Sequence, residues 1–142
     1  MEAFGRILAV SLGCIGLVFL VCFSKTASLR WQRAETVRNI SHAYVGDILN
    51  GKVISRNGWD TFYKELKRLG DYRAELSVYE RKQFSGKKGI VYLFSEWEKE
   101  DEEKLLAEGS YVRLTVTEEM KSKLTTFFYG AGYTLFAGGR VN

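Results

Sequence analysis

The chain has 142 residues, of which 46% are hydrophobic and 14% aromatic, and it contains no proline. This composition excludes an intrinsically disordered chain and leaves room for one folded domain. The net charge of +4 arises from 21 basic and 17 acidic residues, and because the basic residues are scattered instead of forming a stripe, we expect no nucleic-acid binding.

An apolar segment near the N-terminus predicts a membrane helix. Seventeen consecutive uncharged residues run from Ile7 to Phe23, between Arg6 and Lys25. As a helix this segment spans roughly 26 Å, close to the thickness of the bilayer hydrocarbon core. A cleaved secretory signal is the alternative, but the residues that follow match the small-residue cleavage rule poorly. We therefore predict a transmembrane anchor over residues 1–24 of a single-pass protein in the cytoplasmic membrane.

Small residues share one face of this anchor. Ala9, Gly13 and Gly16 are spaced i, i+4 and i+7, which places them on the same side of a helix. Small side chains let a second membrane helix approach closely, so this face is the candidate packing surface for other membrane helices and for oligomers. The alternative is that glycine and alanine are simply common in membrane helices.

The charges beside the anchor bear on its orientation. Arg6 precedes the apolar segment, whereas Lys25, Arg30, Arg33 and Arg38 follow it, and taken literally this count favours a cytoplasmic domain. Basic residues on a helix that leaves the membrane can also contact anionic headgroups of either leaflet. The count therefore indicates an orientation without deciding it.

Helical periodicity continues beyond the anchor. No proline or glycine interrupts residues 24–45, which predicts a stem helix over residues 25–50 that ends at Gly51. Ser55 or Asn57 can cap a second helix that stops at Gly70. The apolar stripe of the stem is Ala34, Val37, Ile40 or Ser41, Tyr44 and Ile48, and that of the second helix is Trp59, Phe62, Tyr63, Leu66 and Leu69.

Alternating apolar residues predict four strands. Residues 72–79 and 90–97 alternate on either side of a Gly-rich connection, which is typical of a hairpin. A third strand is predicted over residues 111–116. The tail, residues 133–141, predicts a last strand with a break at Gly138-Gly139.

Two further short helices are predicted between the strands. The acidic run from Glu98 to Lys104, followed by Leu105, Leu106 and Ala107, suits the first turn of a helix that ends at Gly109. Thr117 reads as the cap of another helix that closes at Gly130. Its buried side would consist of Met120, Leu124, Phe127 and Phe128.

These elements together predict an α+β protein. The transmembrane helix continues into the stem helix, which packs on a roughly four-stranded, mainly antiparallel sheet. The globular domain is expected to cover residues 25–142, including the stem.

No residue pattern predicts a catalytic, cofactor or metal site. His42 is the only histidine, and Ser41 beside it lies on a different face of the helix. Cys14 and Cys22 both fall in the anchor, roughly 12 Å apart along a helix, which is too far for a disulfide within one chain. The carboxylates concentrate in the run from Glu96 to Glu103, which is typical of a solvated face. We therefore predict a protein that is not an enzyme and binds no cofactor or metal.

Several local sequences along the chain are typical of one known family. They are Ala3 to Leu8, then Tyr44, Asp47, Ile48, Gly51, Val53 to Ser55, Trp59, Phe62, Leu66, Gly70 and Tyr72. In these residues the chain resembles small pseudopilin-like proteins of Gram-positive bacteria, which are found beside tight-adherence pilus or type II secretion-like machinery. The similarity extends over most of the chain, and it concerns structural residues and turns instead of a chemical signature.

The resemblance implies a pilin-like build, in which the N-terminal helix is shared between membrane and filament and the domain lies outside the cytoplasmic membrane. Ser11 stands five residues into the apolar segment, where type IV pilins carry glutamate, and no basic leader ending in glycine precedes it. Processing by a prepilin peptidase is therefore not carried over to this chain.

Two functions are compatible with these features. The first is a non-enzymatic pilin-like subunit or accessory of a bacterial surface-filament or secretion apparatus, whose partners are pilin-like subunits, other membrane helices and lipid. The second is a membrane-anchored protein-binding or regulatory domain that faces the cytoplasm.

Overall fold

The computed structural model of the protein describes residues 1–83, 90–96, 102–121, 126 and 130–142. The chain divides into two compact units, Met1–Glu35 and Thr36–Asn142. Within the described residues the elements are, in chain order, α1 (Glu2–Gly51), β1 (Val53–Ser55), α2 (Arg56–Leu69), β2 (Tyr72–Gln83), β3 (Ile90–Glu96), β4 (Glu103–Leu105), β5 (Tyr111–Glu118) and β6 (Thr134–Arg140).

Helix α1 includes both segments for which the sequence predicts a helix, the anchor and the stem. Its C-terminal turns belong to the second unit and bury Val37, Ser41, Val45 and Ile48. The spacing agrees with the predicted stripe, although Tyr44 is only half-buried and Val45 lies inside. Ser41 tolerates burial because its hydroxyl donates a hydrogen bond to the carbonyl oxygen of Val37 at 2.7 Å.

Helix α2 begins and ends where the sequence predicts. The Ser55 side chain accepts a hydrogen bond from the backbone N–H of Gly58 at 3.1 Å, so Ser55 is the cap and Asn57 lies inside the helix. The helix stops before Gly70, and its buried side consists of Trp59, Phe62 and Leu66.

Four strands form an antiparallel sheet in the order β3-β2-β5-β6. This confirms the predicted α+β class and the antiparallel sheet. Strand β2 extends to Gln83, beyond the predicted end at residue 79. Alternation sends Tyr72 and Val78 of β2 and Val112 and Leu114 of β5 into the interior, whereas their neighbours along each strand point away from it.

The short helix predicted from the acidic run is wrong where the structure describes it, and residues 98–101 lie outside the described part. Glu103–Leu105 is strand β4, which pairs antiparallel with β1, a strand that the sequence analysis missed. We call these two strands the β1–β4 ribbon. Next to it, the backbone N–H of Leu106 donates a hydrogen bond to the carbonyl oxygen of Lys52 at 2.8 Å. Backbone pairing with a distant segment therefore overrides a local preference for helix that is worth only tenths of a kcal/mol per residue.

The predicted cap at Thr117 is also wrong. Thr117 lies in β5, opposite Thr134 of β6, and Met120 is in no helix. Leu124, Phe127 and Phe128, the rest of the predicted buried side, lie outside the described residues.

Strand β6 shows no break at its two glycines. A Cβ on Gly138 would stand 2.8 Å from Tyr111 Oη, and a Cβ on Gly139 would collide with Leu49 of α1. Each glycine leaves room for a side chain from a neighbouring element, so the pair preserves the strand where larger residues would disturb it.

The hydrophobic interior of the second unit lies between one face of the sheet and two helical segments, the C-terminal turns of α1 and helix α2. It brings together side chains from the C-terminal turns of α1, from α2, from the β1–β4 ribbon and from the sheet. Its most completely buried members include Val37, Ile54, Leu66, Tyr72, Val78, Val112, Leu114 and Val116.

Candidate functional site

The apolar part of α1 is exposed along its whole length. Among the described residues this is the one helix long and apolar enough to cross a membrane, and its most apolar window contains no buried residue. Large side chains such as Ile15, Leu17 and Phe19 each remain more than half exposed. An apolar surface of this extent requires a covering, either lipid or other apolar helices.

The predicted packing residues Ala9, Gly13 and Gly16 lie on one side of this exposed helix. A Cβ added at Gly13 or Gly16 would meet nothing within 4 Å. Gly5, which the sequence analysis left out, stands four residues before Ala9 and is equally open. The signal that could have found it is the repeated spacing of four between small residues, which extends the face by one helical turn.

Apolar exposure continues past Lys25. Leu29 is 59% exposed and Trp31 is 79% exposed, next to Arg30 and Arg33. Tryptophan beside basic residues at the end of an apolar span is typical of the membrane–water interface. Trp31 was not among the residues predicted from the sequence, and the signal that could have found it is an aromatic residue next to these charges.

A groove of about 670 Å³ runs between the C-terminal turns of α1 and helix α2, with Asp47 and Glu65 on its rim. Tyr44 stacks on Phe62 inside it, with ring centroids 4.7 Å apart. The Tyr44 hydroxyl is buried and has no hydrogen-bond partner within the described part of the chain. Burial raises the pKa of this phenol above its usual value of 10.0, so it stays protonated. The groove is the seam of a helix pair, and its two carboxylates, Asp47 and Glu65, are exposed at its rim.

A second concavity lies on the face of the sheet that points away from the interior. Its volume is about 450 Å³, and it is lined by Tyr79, Tyr111, Arg113 and Arg140. The rings of Tyr79 and Tyr111 contact each other at a tilt, with their centroids 6.3 Å apart. The Arg113 guanidinium lies 4.5 Å from the centre of the Phe136 ring, which fixes its plane by a cation–π contact. We call these four residues the tyrosine–arginine recess.

Groups suited to catalysis or metal binding are scattered across the described residues. No set of three His, Cys, Asp or Glu side chains within them could hold a metal ion. His42 is exposed on α1, and Cys14 and Cys22 are exposed, free thiols on the apolar helix. The described residues thus offer two surfaces for binding, the apolar helix and the sheet face.

Comparison with protein-family models, with characterised proteins and with solved structures finds no match for this chain.

Proposed function

We propose that the protein is a non-enzymatic, pilin-like subunit or accessory of a bacterial surface-filament or secretion apparatus. The observation that supports the proposal is the contrast between the two parts of α1. Its N-terminal turns expose apolar side chains to every side, and its turns from Thr36 onward supply one wall of an α+β interior. A helix that serves both membrane and domain is what the pilin-like resemblance implies.

The exposed helix supplies the means of association. Gly5, Ala9, Gly13 and Gly16 leave a shallow strip on which the backbone of another helix can approach closely. In lipid, such close packing replaces the hydrophobic effect as the reason for helices to associate. Subunits anchored in this way would meet through the strip before or during assembly.

The alternative is a regulatory domain on the cytoplasmic side. The observation in its favour is the excess of basic residues after the span, where Lys25, Arg30, Arg33 and Arg38 stand against Arg6 before it. The two functions share the anchor and differ in the compartment of the second unit.

Protease accessibility separates these functions. A C-terminal tag on the full chain is followed in intact spheroplasts treated with protease, with a cytoplasmic protein as the lysis control. We expect loss of the tag, because a pilin-like domain lies outside. Protection of the tag until the membrane is opened would overturn the proposal in favour of the regulatory domain. N-terminal sequencing of the membrane-bound protein gives the second readout, since a start near Lys25 would mean that the anchor had been removed.

Cysteine crosslinking tests the packing strip. In a background with C14S and C22S, Leu20→Cys places a thiol eleven residues after Ala9, on the strip, whereas Val18→Cys places one on the opposite side. Oxidation in native membranes should join Leu20→Cys chains into dimers and leave Val18→Cys chains monomeric.

Adding bulk to the strip provides the matched comparison. Gly13→Leu should abolish the Leu20→Cys dimer, because the larger side chain separates the helices, whereas Ser11→Leu on the other side should leave it intact. Equal crosslinking at positions 18 and 20, or no effect of Gly13→Leu, would remove the strip from the proposal.

A further inference from the structure

The tyrosine–arginine recess faces away from the hydrophobic interior. Register places Tyr79, Tyr111 and Arg140 in one row across β2, β5 and β6, while Arg113 stands in the next row. The residues between them along the strands, such as Val78 and Val112, point inward and are fully buried. The recess is therefore built by the sheet itself, which holds its side chains at fixed spacing.

The chemistry of the recess selects an anionic and partly apolar ligand. Among the side chains that the structure describes, its lining consists of two tyrosines and two arginines. Tyr111 is 39% exposed and Phe136, under Arg113, is 56% exposed, so apolar ring surface is accessible beside the positive charge. A carboxylate next to an aliphatic side chain satisfies both features.

Strand β4 presents such a ligand. Leu105 is 81% exposed, which is unusual for a leucine in a strand, and Glu103 lies on the same side two residues before it. Glu102 before it is also exposed, and so is Glu108 after it, whose carboxylate forms an ion pair with Lys52 at 3.2 Å. We call Glu102, Glu103, Leu105 and Glu108 the acidic ridge. It ends a run in which residues 96–103 carry six carboxylates and one lysine.

The ridge and the recess lie on different sides of the second unit. Lys104, between Glu103 and Leu105, pairs in register with the fully buried Ile54 and forms an ion pair with Glu80 at 3.7 Å. The β1–β4 ribbon thus covers the interior from the side of the helices, and its ridge points outward there. The recess occupies the opposite face of the sheet.

We propose that the acidic ridge of one copy of this chain docks in the tyrosine–arginine recess of a second copy. Leu105 packs on the exposed side of the Tyr111 ring, and the Glu103 carboxylate accepts hydrogen bonds from Arg113. Because the ridge and the recess are different surfaces, a pair of copies keeps one unused ridge and one unused recess, and the contact extends head to tail to further copies. The inference rests on the proposed function as an assembly subunit and names the contact between its domains.

Disulfide trapping in the full membrane-bound chain tests the contact. In the C14S and C22S background, a chain with both Leu105→Cys and Tyr111→Cys should form a ladder of dimers, trimers and larger species on oxidation. The matched control combines Leu105→Cys with Thr134→Cys, at the other end of β6 on the same face of the sheet, and should give no ladder. Equal ladders for the two pairs would mean random collision and would overturn the proposal.

Charge exchange identifies the partners. Arg113→Glu alone or Glu103→Lys alone is placed on the double-cysteine chain. Each should reduce the amount of crosslinked oligomer about tenfold, which corresponds to about 1.4 kcal/mol. Mixing an Arg113→Glu chain with a Glu103→Lys chain should restore a heterodimer, because an acidic recess then meets a basic ridge. Restoration only when both changes occupy one chain would show a contact within a copy and would overturn the proposal.

Crosslinking through Leu20→Cys distinguishes failure of this contact from failure of the proposed assembly function. Dimers through Leu20→Cys without a ladder through positions 105 and 111 would refute this contact and leave the assembly function standing. Absence of both would refute the assembly function. Circular dichroism of each variant shows whether the domain is folded, and Arg113→Gln with Glu103→Gln repeats the loss without reversing charge.

Discussion

Helix α1 contains two regions whose helical structure has different physical causes. Between Ile7 and Phe23 all side chains are exposed, whereas between Val37 and Ile48 one face is buried in a protein interior. A helix without tertiary contacts is marginal in water, so we expect lipid to stabilise the first region. Tertiary packing stabilises the second region and not the first, so the same secondary structure does not have one common cause.

The packed region should respond most strongly to lost volume. Leu66 is fully buried in the interior of the second unit, so Leu66→Ala should lower the free energy of unfolding by about 2–5 kcal/mol through lost burial and the cavity left behind. Urea unfolding of the detergent-solubilised chain, followed by near-ultraviolet circular dichroism, measures the change. Leu29→Ala, at a 59% exposed position in the first unit, should change it by less than about 0.5 kcal/mol. Equal effects at both positions would break the comparison.

The exposed region should respond instead to a buried charge in lipid. Ile15→Lys, at the centre of the apolar segment, should weaken membrane insertion by about 2.5–3.5 kcal/mol, or roughly 100-fold. The measurement is the fraction of the chain that resists alkaline carbonate extraction. Leu29→Lys, beyond the segment, is the matched control and should remain in the membrane. If Ile15→Lys also remained fully embedded, lipid would not be the medium that stabilises this helix.

A smaller effect on stability is expected in the packed region, where a buried polar group needs a hydrogen-bond partner. Tyr44→Phe should raise the free energy of unfolding by about 1 kcal/mol, because it removes a hydroxyl that is buried without a partner among the described residues. Tyr72→Phe is the control, and its effect on the free energy of unfolding should have the opposite sign. Its hydroxyl contacts that of Tyr133 at 2.7 Å, so the substitution should lower the free energy by a similar amount.

Tyr44 also predicts a dependence on pH. Burial raises its pKa in the folded state above the 10.0 of the unfolded chain, so above pH 10 the unfolded state loses a proton that the folded state keeps. Unfolding is then favoured as the pH rises, and the contribution is absent below pH 10. The decline in stability between pH 9 and pH 11 should therefore be shallower for Tyr44→Phe than for the unchanged chain, and equal declines would contradict the assignment.

The sequence was sufficient wherever periodicity and capping agree with the final environment. The α2 helix between Ser55 and Gly70 and the alternation in β2 and β5 were predicted because a single buried face imposes a period of 3.6 or 2. The candidate strip of Ala9, Gly13 and Gly16 could be read from spacing alone. The tyrosine–arginine recess could not, because its residues come from three strands, and only the register brings Tyr79, Tyr111 and Arg140 into one row.

The exposed apolar helix, the α+β class and the antiparallel sheet could be predicted from the sequence, since they follow from the local periodicity of successive segments and the turns between them. Tertiary structure alone decided that Glu103–Leu105 would pair with β1, that Thr117 would stay in a strand, and that Gly138 would make room for Tyr111. The third is a matter of steric fit, whereas the first two share one physical reason. Local preferences amount to tenths of a kcal/mol per residue, whereas a backbone ladder with a distant strand satisfies several buried polar groups at once.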